Sequence, residues 1–318
     1  MMRAVVVDPD APGRLVIREA DAPTPGPKEA LVRVQAVSLN RGEVRMSLNT
    51  SPAGFRPGWD LAGVVEQAAA DGSGPRAGAR VVGLLRSGAW AEQAAVPTEF
   101  LAELPPDVSF AQAATLPVAG LTALHALYKG GMLLGKSVLV TGATGGVGDY
   151  AIQLARLAGA RVTAHVRRAE QEGFVREAGA HNVAIGDDLA QAAREFAPFD
   201  LVLESVGGAV LGAALTLLAE RGVCVLFGTS GGASVTFDAA KFFSIGGNSL
   251  YGMFLFDELK WVEPASSGLA KLAALIADGQ LAPRISVERP WTEIADAAQQ
   301  LLDRRYPGKA VLHVGEQP

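Results

Sequence analysis

Residues 138–148 read VLVTGATGGVG, an apolar run that leads into a cluster of glycines. The last six of these residues follow the pattern A-x-G-x-x-G, with Ala143 in place of the usual first glycine. A pyrophosphate binds where backbone N–H groups at a helix N-terminus point at it and where small residues let it approach. The pattern therefore predicts the phosphate-binding turn of a dinucleotide site. The residues of this predicted turn are Thr144, Gly145, Gly146 and Val147.

The stretches on either side decide whether this turn binds a nucleotide or only reverses the chain. Glycine-rich turns are common and this chain has 37 glycines, so the pattern alone also fits a structural turn. However, a strand-like run over 137–140 precedes the turn, and a helical pattern with apolar residues on one face follows it. Gly148, one turn into that helix, would let the helix pack closely on the sheet. This context favours dinucleotide binding.

Strand-like runs and helix-length segments alternate from residue 137 to residue 252. Such alternation predicts the α/β class with a parallel, doubly wound sheet, because each helix carries the chain back before the next strand begins. The predicted strands are 137–140, 161–166, 183–185, 201–203, 223–227 and 249–252.

The end of the second predicted strand distinguishes NADPH from NADH. An NAD-selective site holds a carboxylate about 20 residues beyond the glycine turn, where it binds the ribose 2′-hydroxyl. This strand instead ends RVTAHVRR, which puts Arg167 and Arg168 where a 2′-phosphate would lie. Guanidinium groups match phosphate oxygens in charge and geometry, so NADPH is the predicted cofactor. Simple exposure to water would also account for the two arginines, although the missing acid still weakens the case for NAD.

The N-terminal and C-terminal segments have a sequence pattern different from that of residues 137–252. The first hundred or so residues contain short β-rich runs separated by Pro, Gly and Asp, which predicts a small barrel or sandwich. After residue 258, two amphipathic stretches precede a final strand, and we expect this segment to pack on the N-terminal lobe. The predicted domains are 1–120, completed by 258–318, and 121–257.

Composition and charge exclude several kinds of partner. The net charge is −5 and no Lys/Arg-rich run is present, so we expect neither nucleic acid nor an anionic membrane surface as a partner. No apolar run reaches the ~18 residues that span a bilayer, and acids interrupt the N-terminus where a signal peptide would be apolar. Cys224, the only cysteine, lies in the apolar run GVCVLF and is predicted to be a core residue. Together these features predict a cytoplasmic protein.

Five short motifs, in order, give a resemblance that covers nearly the whole chain. They are SLNRGEV from Ser38, PGWDLAGVV from Pro57, LPVAGLTALHAL from Leu116, VLVTGATGGVG from Val138 and PGKAVL from Pro307. Together they resemble the medium-chain dehydrogenase/reductase family. The resemblance implies a GroES-like β-barrel substrate domain, a Rossmann domain and an active site in the cleft between them.

The positions that match the zinc ligands of this family have changed. Asn40 stands at the first cysteine, Trp59 at the histidine and Val118 at the second cysteine. Tryptophan and valine cannot ligate zinc, so we expect no metal. The chain is thus similar to the zinc-independent quinone oxidoreductase branch. This resemblance implies hydride transfer from NADPH to a small-molecule acceptor that delocalises negative charge, and a quinone is the predicted acceptor.

Two other functions remain open at this stage. One is reduction of the double bond of enones or enoyl thioesters, which would need a proton source. Several family members place a tyrosine shortly after the segment that matches 38–44, but RMSLNTSPAGF contains none. The other is an NADPH-binding protein without turnover.

The resemblance also suggests three residues for catalysis. Asn40 would donate its amide to a carbonyl oxygen as charge develops there, and Asp60 would orient groups or water near the nicotinamide. Thr122 would face the nicotinamide side of the cleft. Each has a structural alternative: a turn-forming asparagine, a purely structural acid, and a helix threonine bonded to its own backbone.

Two loops in the nucleotide-binding half complete the predicted cofactor site. Both follow predicted strands of the parallel sheet, whose carboxyl ends are where open α/β sheets bind ligands. Simple glycine turns are the alternative. The first loop matches the family's loop at the nicotinamide ribose. The two loops are Ser205, Val206 and Gly207, and Gly228, Thr229 and Ser230.

Family resemblance further suggests a homodimer formed through the edge of the nucleotide-binding sheet. The apolar run 246–256 could supply that edge. An apolar edge strand left uncovered would promote aggregation, which favours its burial in a dimer.

Overall fold

The structure is a computed structural model that describes residues 1–315. The chain divides into two compact units. Unit 1 combines Met1–Leu121 with the segment that begins at Val262, and unit 2 is Thr122–Trp261. Residues 316–318, the last three of the predicted segment 258–318, lie outside the described residues.

The strands and helices of residues 1–315 are given in chain order. The strands are β1 (Met2–Val7), β2 (Leu15–Ala20), β3 (Glu29–Ser38), β4 (Asp60–Gln67), β5 (Arg80–Leu84), β6 (Gln93–Pro97), β7 (Leu101–Glu103), β8 (Ser137–Val140), β9 (Arg161–Val166), β10 (Asn182–Ile185), β11 (Phe199–Glu204), β12 (Leu218–Leu226), β13 (Ser249–Gly252), β14 (Ile285–Pro290) and β15 (Lys309–His313). The helices are α1 (Arg41–Asn49), α2 (Phe110–Ala114), α3 (Leu121–Tyr128), α4 (Gly146–Leu157), α5 (Glu172–Glu177), α6 (Leu189–Ala192), α7 (Gly208–Leu215), α8 (Ala239–Ile245), α9 (Leu255–Trp261), α10 (Ala265–Ala277) and α11 (Ile294–Leu302). A π-helical segment, Leu116–Gly120, precedes α3.

Unit 2 is built on a six-stranded sheet in the order β10-β9-β8-β11-β12-β13. Every neighbouring pair is parallel, as predicted for this half of the chain. Counted from β8, the order is 3-2-1-4-5-6, which is the doubly wound Rossmann arrangement. The chain order reverses between β8 and β11, so the carboxyl ends of these two strands flank the crevice where such sheets bind ligands.

All six predicted strands of this sheet are present: β10 and β11 begin one and two residues before their predicted starts, and β12 begins much earlier than predicted. Strand β12 starts at Leu218, five residues before the predicted run 223–227. Its exposed residues Glu220 and Arg221 interrupt the apolar pattern, and Arg221 has a positive φ of 60°. The backbone nevertheless resumes its pairing with β11 beyond this irregularity. The start of the strand was not predicted because polar residues interrupt the apolar run there.

Unit 1 contains the β-rich fold predicted for the N-terminal lobe. Its larger sheet follows the path β14-β15-β3-β4-β5-β7, with β6 also paired to β3, and β1 and β2 form a separate two-stranded sheet. The path ends at β14 and β7, so the pairs among the described strands do not close it into a ring. Strand β3 is the centre of this sheet, since it pairs with β4, β6 and β15.

Each unit has its own apolar core. In unit 1, Trp90 and Trp291 are fully buried, and Ile294 of α11 joins the same cluster as the strand residues. In unit 2, Leu139 and the other strand residues pack with apolar side chains of α7. Cys224 lies in this second cluster and is fully buried, as predicted, and burial raises the pKa of its thiol.

The close approach of α4 to the end of β8 can be tested at Gly148. A Cβ on Gly148 would lie 2.5 Å from the carbonyl oxygen of Gly142. We therefore expect Gly148→Ala to lower the free energy of unfolding by about 1–3 kcal/mol, as overpacking does. In the matched control Gly173→Ala, on α5, a Cβ would meet nothing within 4 Å. That variant should be neutral or gain up to ~1 kcal/mol from helix propensity. Denaturant unfolding measures both, and equal effects would contradict the close approach.

Candidate active site

The glycine turn of unit 2 is a tight connection between β8 and α4. Gly142, two residues after the end of β8, has a φ of 56°, and its carbonyl oxygen accepts the N–H of Gly145 at 2.9 Å. Gly145 is the N-cap of α4 and is exposed. A Cβ at this position would meet only the Gly142 oxygen, at 3.3 Å, so the approach from solvent is open. The first N–H groups of a helix lack partners within it, so this end of α4 has the features of an anion site.

The loop that follows β11 lies against this turn. The N–H of Ser205 donates to Oγ1 of Thr141 at 3.1 Å, and a Cβ on Gly142 would lie 2.3 Å from Oγ of Ser205. The carboxylate of Glu204 accepts the N–H groups of Val206 and Gly207 at 2.7 and 2.9 Å. The predicted loop 205–207 is therefore joined to the end of β8.

The loop after β12 packs on loop 205–207 in turn. Oγ of Ser230 donates to the carbonyl oxygen of Ser205 at 3.1 Å. A Cβ on Gly228 would lie 2.7 Å from that same oxygen, and a Cβ on Gly207 would lie 3.2 Å from Cα of Thr229. The structure thus brings the glycine turn and both predicted loops together at the carboxyl edge of the sheet. Whether they bind a cofactor stays a prediction.

Arg167 and Arg168 follow β9, the neighbour of β8 in the sheet. Both are exposed, and both backbone N–H groups donate to Oε1 of Gln171 at 3.2 Å. Neither guanidinium makes a hydrogen bond or ion pair with another residue within 1–315. The two side chains are thus unengaged near the carboxyl end of a strand beside the glycine turn.

In unit 1, Asn40 and Asp60 belong to one buried polar network with Lys309. Asp60 is fully buried, and its Oδ2 accepts from Oγ of Ser38 at 2.6 Å and from Nδ2 of Asn40 at 2.7 Å. Nζ of Lys309, which is also buried, lies 2.7 Å from Oδ1 of Asn40 and 3.4 Å from Oδ2 of Asp60. Glu43 accepts the other N–H of the Asn40 amide at 2.8 Å. The network therefore contains two carboxylates and one ammonium group.

The Asn40 side chain is fully occupied by this network. Its two amide hydrogens go to Glu43 and Asp60, and its oxygen accepts from Lys309. To donate to a substrate carbonyl, as predicted, the amide would first have to give up a bond to a carboxylate. Its catalytic role, like that of Asp60, stays a prediction.

Burial controls the ionisation of the network. The pKa of Glu43 is raised by burial and then by the charge of Asp60, while hydrogen bonds from Asn40 oppose the shift. The pKa of Lys309 is lowered by burial, and the nearby carboxylates of Asp60 and Glu43 oppose that shift. Since an unpaired buried charge is costly, the two carboxylates and the ammonium group depend on one another.

The same two carboxylates join the three positions that match zinc ligands. Nδ2 of Asn40 donates to Glu43 and Asp60, the N–H of Trp59 donates to Oε2 of Glu43 at 2.6 Å, and the N–H of Val118 donates to Oδ1 of Asp60 at 3.0 Å. Among residues 1–315, no group of three or more His, Cys, Asp or Glu side chains is arranged to hold a metal ion.

Thr122, the third predicted catalytic residue, belongs to unit 2. It lies in the first turn of α3 and is buried. Its predicted contact with the nicotinamide stays a prediction.

Sequence reasoning missed Ser38, Glu43 and Lys309 as members of the site. All three lie inside quoted motifs: Ser38 and Glu43 in SLNRGEV, and Lys309 in PGKAVL. Their charges could have identified two of them in the sequence. A lysine at the start of an apolar strand and a glutamate one turn after Asn40 are both candidates for a buried ion pair. Four of the five motifs therefore meet in one network, since PGWDLAGVV supplies Asp60 and Val118 of LPVAGLTALHAL donates its N–H to Asp60.

Comparison with known proteins agrees with this architecture. The model of the alcohol dehydrogenase GroES-like domain matches residues 26–106, and the model of the zinc-binding dehydrogenase matches residues 146–270. A chloroplast envelope quinone oxidoreductase homolog of Arabidopsis thaliana is 30% identical over 92% of this chain and 92% of that protein. The synaptic vesicle membrane protein VAT-1 homolog of Mus musculus is 30% identical over 95% of this chain and 80% of that protein.

A solved structure extends the likeness to three dimensions. The mycobacterial protein Rv1454c, solved in complex with NADPH, is 28% identical, covers 98% of this chain and 100% of its own, and has a TM-score of 0.88. Among residues 1–315 of the present protein, no helix is both long and apolar enough to cross a bilayer.

The parallel sheet with its glycine turn and the GroES-like match define a class of protein, the two-domain dinucleotide-dependent oxidoreductases. Within that class, the sequence identity to relatives that match over most of their length assigns the family. The chain belongs to the medium-chain dehydrogenase/reductase family, in its quinone oxidoreductase branch. The predicted family resemblance, the fold class with a Rossmann sheet and a GroES-like domain, and the assignment as an enzyme are thereby confirmed.

The dependence of the network on its ammonium group can be measured. Lys309→Met would leave Asp60 and Glu43 buried without a cation, so we expect a loss of about 3–5 kcal/mol in the free energy of unfolding. In the matched control Lys260→Met, the lysine side chain is 59% exposed and pairs with Asp257, which is 62% exposed, and surface pairs of this kind contribute about 0–1 kcal/mol. Denaturant unfolding of the three proteins tests this. A loss for Lys309→Met no larger than that of the control would show that the network does not need the ammonium group.

Proposed function

We propose that this protein reduces quinones with NADPH and without zinc. The observation that carries the cofactor assignment is the pair of unengaged guanidinium groups of Arg167 and Arg168, at the end of the strand beside the glycine turn. A 2′-phosphate would satisfy both, and NADH lacks that phosphate. The likeness to a mycobacterial protein that binds NADPH supports the same assignment.

The residues that would hold the dinucleotide are distributed over one edge of the sheet. The backbone of Thr144–Val147 and the N-terminus of α4 would bind the pyrophosphate. Loop 205–207 and loop 228–230 would contact the nicotinamide ribose. The open approach at Gly145 and the absence of a side chain at Gly146 fit these roles. When bound, NADPH supplies the hydride for the reaction.

The zinc-free proposal rests on what occupies the positions that match the zinc ligands. The ammonium of Lys309 lies 2.7 Å from Oδ1 of Asn40 and would repel a divalent cation. The backbone N–H groups of Trp59 and Val118 donate to the carboxylates there, and neither an indole nor an isopropyl side chain can ligate a metal. These residues do not fit zinc, although the matching family model is described as a zinc-binding dehydrogenase.

A quinone acceptor fits a site that has no metal to polarise an alcohol or a carbonyl. A quinone delocalises the negative charge that hydride transfer creates, so the protein need supply only position and hydrogen bonds. In unit 1, we propose Asn40 and Asp60 as residues that position the acceptor, with Lys309 holding the Asn40 amide in place. In unit 2, we propose that Thr122 faces the nicotinamide. Similarity to a quinone oxidoreductase homolog supports this choice of acceptor. Solvent supplies the proton in this proposal.

We also propose that the protein acts in the cytoplasm, since a single buried thiol, Cys224, fits a reducing compartment.

Turnover with a panel of acceptors tests the proposed reaction. NADPH oxidation is followed with a benzoquinone, a naphthoquinone, an enone and an enoyl thioester, and NADH serves as the alternative donor. We expect quinones to react fastest with NADPH. In Arg167→Ala/Arg168→Ala, the KM for NADPH should rise roughly tenfold or more while NADH is unaffected, because charged hydrogen bonds to the phosphate are lost. Arg194→Ala, an exposed arginine elsewhere in unit 2, is the control.

Each contrary result has a defined meaning. Turnover of enones alone would replace the quinone by an unsaturated carbonyl substrate. Binding of NADPH without any turnover would favour a binding protein. An equal loss for NADPH and NADH in the double arginine variant would remove the 2′-phosphate role.

We further propose a homodimer formed through β13. This strand is paired to β12 on one side and lies at the edge of the path of described strands, and all four of its residues are exposed. Leu250 is 43% exposed, and the nearby Phe254 is 61% exposed. Burial of such an edge against a second copy would cover both the apolar side chains and the unpaired backbone groups.

The dimer proposal is tested by light scattering after size-exclusion chromatography. The unaltered protein should be dimeric, and Leu250→Lys should shift it to monomer because a charge would be placed at the centre of the interface. Leu157→Lys changes a leucine of similar exposure, 47%, at the end of α4 and should leave the dimer intact. A monomeric unaltered protein, or equal effects of the two lysines, would contradict the β13 interface.

A further inference from the structure

Glu204 is a buried carboxylate at the carboxyl end of β11, next to the proposed ribose loop. It is fully buried. Its Oε1 accepts from the N–H of Val206 at 2.7 Å and from Oγ1 of Thr141 at 3.0 Å, and its Oε2 accepts from the N–H of Gly207 at 2.9 Å. These partners are uncharged, so the carboxylate is held by backbone and hydroxyl dipoles and not by a cation.

Burying the Glu204 carboxylate has a desolvation cost, which its hydrogen bonds offset. Burial raises the pKa of Glu204, and hydrogen bonds from Gly207, Val206 and Thr141 oppose that shift. The carboxylate matters to the fold because it provides acceptors for two adjacent N–H groups of one loop. A buried N–H without an acceptor is unfavourable, so these bonds fix the direction of the loop backbone.

The other backbone groups of the loop are also engaged within the protein. The N–H of Ser205 donates to Thr141, the oxygen of Ser205 accepts from Ser230, and the oxygen of Val206 accepts the N–H of Gly231 at 2.7 Å. Gly207 is the N-cap of α7, so the Glu204 carboxylate lies at the positive end of that helix. The N-terminus of α7 is therefore already neutralised by a residue of the chain, whereas the N-terminus of α4 begins at an exposed glycine.

We propose that Glu204 is a positioning residue for cofactor binding that makes the two helix N-termini at this sheet edge different. It holds loop 205–207 in one conformation and occupies the anion position of α7, so that this loop receives an uncharged part of the dinucleotide, the nicotinamide ribose. The phosphates are then directed to α4. This inference rests on the proposed binding of NADPH.

The test compares Glu204→Gln with Asp200→Asn. The glutamine keeps the size of the side chain but replaces one acceptor oxygen by an amide donor, so one loop N–H loses its partner. Asp200 lies on the same strand, where its Oδ2 accepts the N–H of Ser137 at 2.8 Å near the amino end of β8. It therefore matches Glu204 in chemistry but lies away from the loop. Two ligands are titrated: NADPH, and adenosine 2′,5′-bisphosphate, which lacks the nicotinamide half.

We expect Glu204→Gln to weaken NADPH binding roughly tenfold and to leave adenosine 2′,5′-bisphosphate binding unchanged. Asp200→Asn should bind both ligands like the unaltered protein. Amide hydrogen exchange of the cofactor-free proteins is measured in parallel, and at least one of the N–H groups of Val206 and Gly207 should lose protection in Glu204→Gln and neither in Asp200→Asn. If Glu204→Gln does not fold, Thr141→Val is measured in the same way and should shift both readouts in the same direction by a smaller amount.

Three results would overturn the inference. They are unchanged NADPH affinity in Glu204→Gln, an equal loss of affinity for both ligands, and unprotected amides of Val206 and Gly207 in the unaltered protein. Failure of the unaltered protein to bind NADPH at all would instead refute the proposed function, and the cofactor role of Glu204 with it. If the unaltered protein binds NADPH and Glu204→Gln binds it equally well, the role of Glu204 is refuted and the proposed function is not.

Discussion

The organisation of unit 2 depends on the reversal of chain order between β8 and β11. Because the two strands are parallel neighbours, the connections that leave them meet at one edge of the sheet. At that edge the backbone segments leave no room for some side chains: a Cβ on Gly228 would lie 2.7 Å from the carbonyl oxygen of Ser205, and one on Gly207 would lie 2.2 Å from the oxygen of Gly232. Packing of the protein alone therefore requires glycine at these two positions.

Both units bury carboxylates, but they compensate the charge by different means. Glu204 is held by N–H groups of its own loop and by a helix N-terminus, so its charge is balanced by dipoles. Asp60 and Glu43 share one ammonium, that of Lys309, and one amide, that of Asn40. Dipoles fix the path of the nearby backbone, whereas the ammonium links strands that are distant in sequence. Each solution stabilises the geometry beside a proposed binding surface.

Local patterns predicted the parts of the protein that are themselves local. Strands β8, β9 and β13 have the bounds predicted from apolar runs, and the glycine turn was found because a strand, a turn and a helix are consecutive in the chain. The start of β12 was missed because its exposed residues Glu220 and Arg221 break the apolar pattern. The register of β11 with β12 depends on backbone pairing, which side-chain type does not encode.

The buried network could not be assembled from the sequence for a different reason. Lys309 and Asn40 are 269 positions apart, and they meet only because β15 pairs with β3. Most of these residues lie in motifs of the family. A motif, however, shows only that a residue type recurs at a position, and it does not show which residue it contacts. A lysine at the start of a strand is ordinarily exposed, so its burial follows only from the sheet topology.

The buried network of unit 1 links three segments of the chain by hydrogen bonds. A zinc ion would join three chain segments through its ligands. Here Asp60 and Glu43 join the same segments by accepting N–H groups from Asn40, Trp59 and Val118. Such a network provides the mechanical link but no Lewis acid, since its ammonium is already engaged with Asn40 and Asp60. Under the zinc-free proposal, the acceptor itself spreads the negative charge that hydride transfer creates, which is the property that the proposed quinone has and a simple ketone lacks.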